Sequence, residues 1–438
     1  MPAPPAVRIP VPRPGDRLTL RCGPMVHGGG CLAHPDEGGT VLVDGAIPGE
    51  LVDVEVTGRR GGVARARTVA VHEPSEDRVE APCPWYGVCG GCDLQHVAYP
   101  RQLELKRAIV EDQLRRQGIQ LPGDLPVHGM ADPWRYRWRG ELHVVRDRAT
   151  PSRPVTGLGF NRARSWQPVA IDDCLIHHPA ITTAMPALQR LAATGDRRLD
   201  LLHLTAGEEG EELLVAPKPP AAVDPAALDA AAMGLGGGEA RWATTATTLH
   251  WRGHRYRLTP KSFIQVNRAQ MEVLYDRALA GLGDIAGARV VDGYAGIGVL
   301  SVELAVRVGP EGQVICVEDN TAAAHMGVLN ARVNGVADRI RYDPRTMEVA
   351  LPEIAAARPI DALVVDPPRA GCASTVTALL ALGGPRRIVY ISCDPATLAR
   401  DLRVLAVSGP YAVEAVELVD MFPQTHHVET VATLVRRD

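Results

Sequence analysis

Four short apolar segments in the second half of the chain, each followed by turn residues, constrain the fold more than any other feature. They cover residues 289–291, 314–317, 362–365 and 388–392, and stretches of helical length separate them. Buried strands that alternate with helices pair in parallel, because a crossover helix returns the chain to the same edge of the sheet. We therefore predict an α/β fold with a doubly wound, Rossmann-like sheet at residues 255–438.

The first part of the chain shows a different pattern, in which strand-like segments are interrupted by glycines. The candidate strands are residues 17–21, 40–43, 51–56 and 64–71. Short segments of this kind, bounded by glycine turns, are typical of small all-β domains. We predict an N-terminal β-barrel at residues 11–73.

Between these two parts, residues 74–254 predict a central mixed domain. A helix is expected at residues 100–117, and W-R-Y-R-W-R at 134–139 has the alternation of a strand. Its aromatic side chains would share one face, which favours core packing, while its arginines would stay available to RNA. Residues 217–238 are rich in alanine, glycine and proline, and we interpret them as a mobile connection or an insertion rather than a functional element.

Composition excludes several classes of protein. The 438 residues predict roughly two to four domains, and no segment approaches the ~18 consecutive apolar residues that would span a bilayer. Residues 1–15 lack the apolar stretch of a secretory signal, and nine is an odd cysteine count for a disulfide framework. We expect a cytoplasmic protein with no membrane partner. The net charge of -4 does not by itself indicate a nucleic-acid partner.

The segment V-V-D-G-Y-A-G-I-G-V-L-S at 290–301 predicts a strand, a glycine-rich turn and a helix. Gly296 and Gly298 would let the backbone approach a ligand, although a tight structural turn explains this motif alone equally well. Glu318 follows the next strand, where a carboxylate can accept hydrogen bonds from both hydroxyls of a ribose. A pyrophosphate would favour a third glycine where the chain has Ser301, so the pattern favours S-adenosylmethionine over NAD.

Three further strand ends carry side chains suited to catalysis. Asp366 follows a strand in D-P-P-R, Cys393 follows another in S-C-D-P-A-T, and Glu429 precedes the last strand in H-H-V-E-T. A thiol near a helix N-terminus has its thiolate favoured, and a carboxylate in a dry cleft can act as a general base. The alternatives are a strand-ending turn for Asp366, a buried small residue for Cys393 and a surface loop for Glu429.

A group of cysteines forms a candidate metal site. Cys83, Cys89 and Cys92 lie within ten residues, and Cys174 lies far along the chain. Four thiolates suit zinc or an iron–sulfur cluster, and unrelated thiols are the remaining alternative. Structural zinc sites usually pair their cysteines in two short knuckles, so three clustered cysteines with a distant fourth favour an iron–sulfur cluster.

Taken in order, these motifs resemble those of the S-adenosylmethionine-dependent RNA 5-methyluridine methyltransferases, the bacterial 23S rRNA and tRNA uracil-5 methyltransferases. A-I-P-G-E at 46–50 is similar to a TRAM RNA-binding barrel, C-P-W-Y-G-V-C-G-G-C-D-L-Q-H at 83–96 resembles the 4Fe-4S segment, and F-I-Q-V-N at 263–267 resembles the opening of the catalytic domain. The resemblance covers nearly the whole chain. It departs at Gly293 and Ala295, where bulkier or cysteine-like residues are expected.

The resemblance implies an α/β methyltransferase domain that methylates carbon 5 of a uridine in RNA through a covalent cysteine–uracil adduct. The resemblance favours 23S rRNA as the substrate, with tRNA as the alternative, and the enzyme would act as a monomer. Cys393 would be the nucleophile and Glu429 the general base. S-adenosylmethionine would be held by Gln265, Tyr294, Glu318, Asp343 and Asp366, and a 4Fe-4S cluster by Cys83, Cys89, Cys92 and Cys174.

Two other functions use the same fold. One is methylation of an exocyclic nitrogen, which needs a D-P-P-R-like loop but no cysteine. The other is a non-catalytic iron–sulfur protein that binds RNA, which predicts loss of Cys393 or Glu429. Because both residues are present, the sequence favours the uracil-5 methyltransferase.

Overall fold

The computed structural model describes residues 12–36, 38–147, 149–150, 153–194, 196–207, 212–224, 226–227, 241–243 and 245–437. The chain divides into two compact units, the first formed by Met1–Ile109 with Phe422–His427 and the second by Val110–Met421 with Val428–Asp438. The division into domains at residues 11–73, 74–254 and 255–438 stays a prediction. In the described ranges, no helix combines the length and the apolar composition that crossing a membrane requires.

The first unit contains a sheet with the strand order β1-β4-β5-β3-β2. Its elements are β1 (Arg17–Arg21), β2 (Cys31–Ala33), β3 (Thr40–Asp44), β4 (Leu51–Arg60) and β5 (Val63–Glu73), followed by helix α1 (Tyr99–Arg116). Val52 and Val54 are buried, because alternate residues of a strand point to the same face. Backbone hydrogen bonds from Gly23 N to Leu32 O (2.7 Å) and from Leu32 N to Pro24 O (3.0 Å) join the segment after β1 to β2. The four expected strands are confirmed, whereas β2 is too short to produce a periodic pattern.

The segment Phe422–His427, which we call the anchored loop, belongs to the first unit although it comes near the end of the chain. Gln102 on α1 is buried, donates from Nε2 to Gln424 Oε1 (2.9 Å) and accepts from Gln424 N at Oε1 (3.0 Å). Lys106 Nζ donates to Phe422 O (3.0 Å). Gln424 has a positive φ of 68°, so these bonds hold the loop in a conformation that a non-glycine residue seldom adopts.

The smaller sheet of the second unit has the strand order β12-β11-β10-β7-β8-β9. The elements of this region are β6 (Val127–His128), β7 (Arg139–Arg146), β8 (Val155–Asn161), β9 (Pro168–Ala170), α2 (Pro179–Thr194), β10 (Leu201–Ala206), β11 (Glu212–Lys218), β12 (Arg241–Ala243), β13 (Thr247–Trp251) and β14 (His254–Leu258). Residues 157–160 lie within β8, and residues 201–204 lie within β10.

Residues 134–139 do not form a strand, so that expectation is wrong. Arg135 has a positive φ of 53°, and the regular strand β7 begins only at Arg139. Tyr136 and Trp138 are nevertheless buried. Core packing of these two aromatic side chains is therefore confirmed without the strand geometry that suggested it.

The arginines of the same segment are engaged within the second unit. Arg135 forms an ion pair with Asp173 (2.7 Å), Arg137 Nε donates to Arg139 O (3.1 Å), and Arg139 donates to Pro260 O (2.7 Å). These guanidinium groups hold the local backbone together. Because the three arginines are also partly exposed, their availability to RNA stays a prediction.

The interpretation of residues 217–238 as a mobile connection is wrong for the first residues of the segment. Residues 217 and 218 belong to β11, and a short helical turn covers Pro220–Ala222. Residues 225 and 228–238 lie outside the described residues.

The larger sheet of the second unit has the strand order β17-β16-β15-β18-β19-β21-β20-β6. Its further elements are α3 (Arg268–Leu282), β15 (Arg289–Gly293), α4 (Val299–Val308), β16 (Gln313–Val317), α5 (Thr321–Val333), β17 (Ile340–Asp343), α6 (Met347–Ala357), β18 (Ala362–Val365), α7 (Ala373–Ala381), β19 (Arg387–Ser392), α8 (Pro395–Leu402), β20 (Tyr411–Val419) and β21 (Glu429–Arg436). The four predicted strands are confirmed, and every residue of β15 and β18 is buried, as in a sheet covered on both faces.

The larger sheet is mixed, which corrects the expectation of a parallel sheet. Strands β15 to β19 pair in parallel, but β21 is antiparallel to both β19 and β20. No helix lies between β20 and β21 in the described chain, and strands joined without a crossover helix pair antiparallel. The reversal brings the amino end of β21 beside the carboxyl end of β19.

Two glycines make room for Tyr342 on β17. A Cβ atom at Gly327 on α5 would lie 2.0 Å from Tyr342 Oη, and one at Gly298 would lie 2.5 Å from the same atom. Contacts this short do not occur between real atoms, so both positions require glycine for the tyrosine to pack as it does.

We expect Gly327→Ala to lower the free energy of unfolding by roughly 1–2 kcal/mol. Overpacking costs ~1–3 kcal/mol, which exceeds the gain in helix propensity of about 1 kcal/mol from replacing glycine. Urea denaturation followed by tyrosine and tryptophan fluorescence measures the change. Gly123→Ala is the control, because a Cβ atom there meets nothing within 4 Å. Equal stability of the two variants would contradict the prediction.

Candidate active site

The candidate site lies along the carboxyl edge of the larger sheet of the second unit. Parallel strands end at the same edge, so side chains that follow them are brought into one row. The predicted residues at these strand ends are Tyr294 after β15, Glu318 after β16, Asp343 at the end of β17, Asp366 after β18 and Cys393 after β19. The structure therefore places five predicted site residues in this row.

Glu429 reaches the same edge from the opposite direction. It is the first residue of β21, which runs antiparallel to β19. Ser392 pairs with Thr430, and Thr430 Oγ1 donates to Ser392 O (3.1 Å). Cys393 follows Ser392 and Glu429 precedes Thr430, so both predicted catalytic residues lie at this end of the strand pair, where the charge of Glu429 raises the pKa of Cys393.

The glycine-rich turn between β15 and α4 leaves its backbone open. Gly296 and Gly298 have positive φ values of 56° and 83°, and a Cβ atom at Gly296 would meet nothing within 4 Å. Ser301, in the first turn of α4, donates from Oγ to the buried Asp292 Oδ2 (2.5 Å). Serine at this position thus anchors the turn to the strand before it, where a third glycine would offer no such bond.

The carboxylate of Glu318 is held at the end of β16 by two backbone donors. Gly296 N donates to Oε2 (2.8 Å), and Asn320 N donates to Oε1 (2.8 Å). Each oxygen keeps a second lone pair, which can accept from a ligand hydroxyl. This geometry fits the predicted contact with a ribose.

The other two predicted cofactor residues at these strand ends differ in availability. Arg345 donates to both oxygens of Asp343 (2.8 Å each), and this pairing lowers the pKa of Asp343. The Asp343 carboxylate is thus already engaged. Tyr294 has a positive φ of 64°, and burial raises its pKa to about 12. Strained backbone of this kind is common at functional turns.

Gln265 joins the row from the segment before α3. Its side chain is 5% exposed, and Nε2 donates to Asp366 Oδ2 (3.4 Å). Trp138 Nε1 donates to the Gln265 backbone oxygen (2.8 Å), and the Arg268 guanidinium lies 4.0 Å from the centre of the Trp138 ring. Trp138 is therefore a positioning residue for Gln265, a role that its sequence pattern did not indicate.

The thiol of Cys393 is protonated at neutral pH, which corrects the expectation of a favoured thiolate. Burial, together with the charges of Glu429 and Asp366, raises the pKa of Cys393 to about 11, although Arg369 opposes this increase. The nearby N-terminus of α8 offers little help, because the Asp394 carboxylate already accepts from the backbone N–H groups of Ala396 and Thr397 at that end.

The two carboxyl groups beside Cys393 hold their protons more tightly than usual. Glu429 is 2% exposed, and burial and then Asp366 raise its pKa well above the ordinary range. Burial and the charge of Asp292 raise the pKa of Asp366 to about 7. Among the described residues, Glu429 Oε1 has no hydrogen-bond partner. A buried carboxylate of this kind is a strong proton acceptor once it is ionised.

Sequence reasoning missed two residues of this edge. Arg369 is exposed and lowers the pKa of both Cys393 and Glu429, and its place in D-P-P-R was the available signal. Phe263 is 69% exposed two positions before Gln265. An exposed aromatic side chain offers a surface on which an unpaired base can stack.

Cys83, Cys89 and Cys92 lie in the first unit, and Cys174 lies in the second. Among the described residues, no set of three or more histidine, cysteine, aspartate or glutamate side chains could hold a metal ion. Cys83 and Cys89 interact electrostatically, and burial raises the pKa of Cys89. Cys174 Sγ contacts His177 Nδ1 (3.0 Å).

Comparisons with known proteins show which family this chain is similar to. The family model named tRNA (uracil-5-)-methyltransferase matches residues 242–437. The 23S rRNA (uracil(1939)-C(5))-methyltransferase RlmD of Shewanella amazonensis is 36% identical over 437 residues, which cover 95% of each protein. An uncharacterized RNA methyltransferase of Streptomyces avermitilis is 33% identical, with 96% of this chain and 98% of the relative covered.

A solved structure has the same fold. The tRNA (uracil-54, C5)-methyltransferase of Pyrococcus abyssi, crystallised with S-adenosyl-L-homocysteine, aligns with a TM-score of 0.70. The alignment covers 95% of this chain and 100% of that chain at 23% sequence identity.

The charges around Cys393 predict opposite effects of two substitutions on its alkylation by iodoacetamide at pH 9. Glu429→Gln should accelerate the reaction, because it removes a charge that raises the thiol pKa, and Arg369→Ala should slow it. Peptide mass spectrometry over a pH series measures the rate. In the unsubstituted protein the rate should rise up to a pH of about 11. Changes of the same sign in both variants would contradict the assignment.

Proposed function

The chain belongs to the S-adenosylmethionine-dependent RNA uracil-5 methyltransferases, and we propose from this premise that it methylates carbon 5 of a uridine in 23S rRNA. The observation that carries the proposal is the placement of Cys393 opposite Glu429, at the edge where the open glycine turn lies. Relatives named as 23S rRNA methyltransferases, 36% and 35% identical over nearly the whole chain, favour rRNA over tRNA.

The residues of the row fit the methyl donor. S-adenosylmethionine supplies an electrophilic methyl group on a positively charged sulfur. The open backbone at Gly296 and the fixed carboxylate of Glu318 suit its nucleoside part. Asp292, Asp366 and Glu429 crowd negative charge into a buried region, and a cation there would relieve their repulsion.

The chemistry explains why this row needs both a thiol and a carboxylate. Carbon 5 of uracil is a weak nucleophile until the Cys393 thiolate adds to carbon 6 and leaves an enolate. The enolate carbon would take the methyl group as the sulfur–methyl bond of the sulfonium donor breaks, and the donor would leave as a neutral thioether. Glu429 then accepts the proton of carbon 5, the carbon–sulfur bond breaks, and the thiolate is restored. Methylation of an exocyclic nitrogen would need neither residue, so their pairing argues against that alternative.

Activation of Cys393 requires that its proton leave a buried thiol. Arg369 is the positive charge of this chain that favours the thiolate, and it opposes Glu429 and Asp366. A cation bound beside these carboxylates would add to its effect. We therefore expect the thiol to ionise in the loaded enzyme rather than in the resting protein.

The first unit has features of an RNA-binding barrel. Its five-strand order is joined end to end by the backbone bonds between Gly23, Pro24 and Leu32, which supports a closed barrel of the TRAM type. Residues 83–96 resemble the family's 4Fe-4S segment, which supports a cluster held by Cys83, Cys89 and Cys92 with Cys174 as the fourth ligand. Their donor chemistry fits a cluster, although the described residues do not gather three of them.

The proposed reaction predicts a covalent complex with 5-fluorouridine-substituted rRNA in the presence of S-adenosylmethionine. Fluorine cannot leave as a proton, so the adduct at Cys393 should survive denaturation and appear on gels and in peptide mass spectra. Cys393→Ala should abolish it, and Cys372→Ala, at a cysteine buried elsewhere, should not. Trapping by tRNA alone would reassign the substrate. Methylation of unsubstituted RNA without any adduct would refute the thiolate mechanism.

The cluster predicts about four iron and four sulfide ions per chain in protein purified without oxygen. Cys89→Ser should reduce the iron content, because a hydroxyl is a poor ligand for this cluster, whereas Cys372→Ser should leave it unchanged. Iron and sulfide assays measure both. Active protein without iron would eliminate the cluster from the proposal.

A further inference from the structure

The turn between β8 and β9 presents a large aromatic side chain to solvent. Trp166 is 92% exposed, the highest exposure among the large apolar side chains of the described chain. We call residues 162–167, which form this turn, the Trp166 tip. Exposed tryptophan contributes nothing to the core, and it is enriched where proteins bind other molecules.

Hydrogen bonds hold the Trp166 tip in one conformation. Arg162 N donates to Gln167 O (2.9 Å), and Ser165 N donates to Arg162 O (3.1 Å). Gln167 N donates to Ser165 Oγ (3.0 Å). Arg164 has a positive φ of 53°, a conformation that is costly for an arginine. Trp166 is thus exposed because a hydrogen-bonded turn holds it in that position.

The same turn concentrates positive charge. Arg162 and Arg164 are both exposed on either side of Ala163, and residues 155–171 contain no aspartate or glutamate. The chain as a whole has a net charge of -4, so the charge of this turn is opposite in sign to the net charge of the protein. Arginine guanidinium groups bind phosphates, and tryptophan stacks on unpaired bases.

We propose that the Trp166 tip is a second RNA-binding site, in which Trp166 stacks on an unpaired base while Arg162 and Arg164 bind the flanking phosphates. The inference rests on the proposed function, because it takes the substrate to be RNA. It adds to that function a contact outside the catalytic row, made by the smaller sheet of the second unit. This contact selects RNA that carries an unpaired base in addition to the target uridine.

The test measures binding of the 23S rRNA transcript that is trapped by the wild-type protein. Trp166→Ala should weaken the Kd about tenfold, in line with the loss of one base–aromatic stack, whereas Trp166→Phe should stay within about twofold. The double variant Arg162→Ala/Arg164→Ala should reduce the slope of log Kd against log salt by about 2. For all variants kcat at saturating RNA should be unchanged, while KM should follow the Kd.

Arg307→Ala is the matched control, because Arg307 is exposed in the last turn of α4, away from this turn in the sequence. Its salt dependence should change by less than that of the double variant. Ultraviolet crosslinking should also yield an RNA-linked peptide that contains Trp166. The inference is overturned if Trp166→Ala binds the transcript as tightly as the wild-type protein.

It is equally overturned if the substitution instead dissociates an oligomer seen by sedimentation or abolishes binding to anionic vesicles, which would identify a protein or a lipid surface as the occupant. These outcomes differ from a failure of the proposed function. If the proposed function is wrong, the wild-type protein will methylate no RNA at all.

Discussion

The antiparallel pairing of β21 with β19 is the constraint on which the site depends. A parallel strand at this position would carry its first residue to the far edge of the sheet. Because β21 is reversed, Glu429 at its beginning faces Cys393 at the end of β19, and the register is fixed by Ser392 and Thr430. A slip of one residue would turn the carboxylate to the opposite face. Cys393 and Glu429 are 36 positions apart in the sequence, and their proximity thus depends on one strand pair.

Placing Glu429 near Cys393 and other acidic groups creates electrostatic repulsion that the charges of this chain offset only in part. Asp292, Asp366 and Glu429 are carboxyl groups with raised pKa values, and Cys393 is a thiol raised by two of them. Arg369 offsets only part of this charge. The acidic groups of this site repel one another when they are ionised, and a bound cation would reduce that repulsion. A protein that binds a sulfonium compound needs this property. Strain of this type is commonly concentrated where function requires it.

The predictions that held rest on local pattern, and those that failed depend on contacts distant in sequence. β15 and β18 are continuous apolar segments, so their positions could be read directly. The protonation state of Cys393 could not be predicted in this way, because the pKa of its thiol depends on groups on other strands. The Asp394 cap also occupies the nearby helix terminus.

The alternation at residues 134–139 imitated a strand for a similar reason. Buried Tyr136 and Trp138 are spaced by two positions in a bent segment, and Trp138 makes its hydrogen bond to Gln265, 127 positions later. No pattern within a short window contains such a partner. Conversely, Glu318 lies where the spacing after the glycine turn predicted it, because one strand and one helix of standard length separate them.

The anchored loop has a consequence for how the protein is synthesised. Gln102 is buried against Gln424, and 322 positions separate the two. At a translation rate of roughly 5–20 residues per second, the partner of Gln102 emerges on the order of 20–60 seconds later. During that interval the Gln102 amide can donate only to its nearby partners, the backbone oxygens of Leu94 and Val97, and it lacks its contact with Gln424. The first unit is therefore complete only after Phe422–His427 has been synthesised, late in translation.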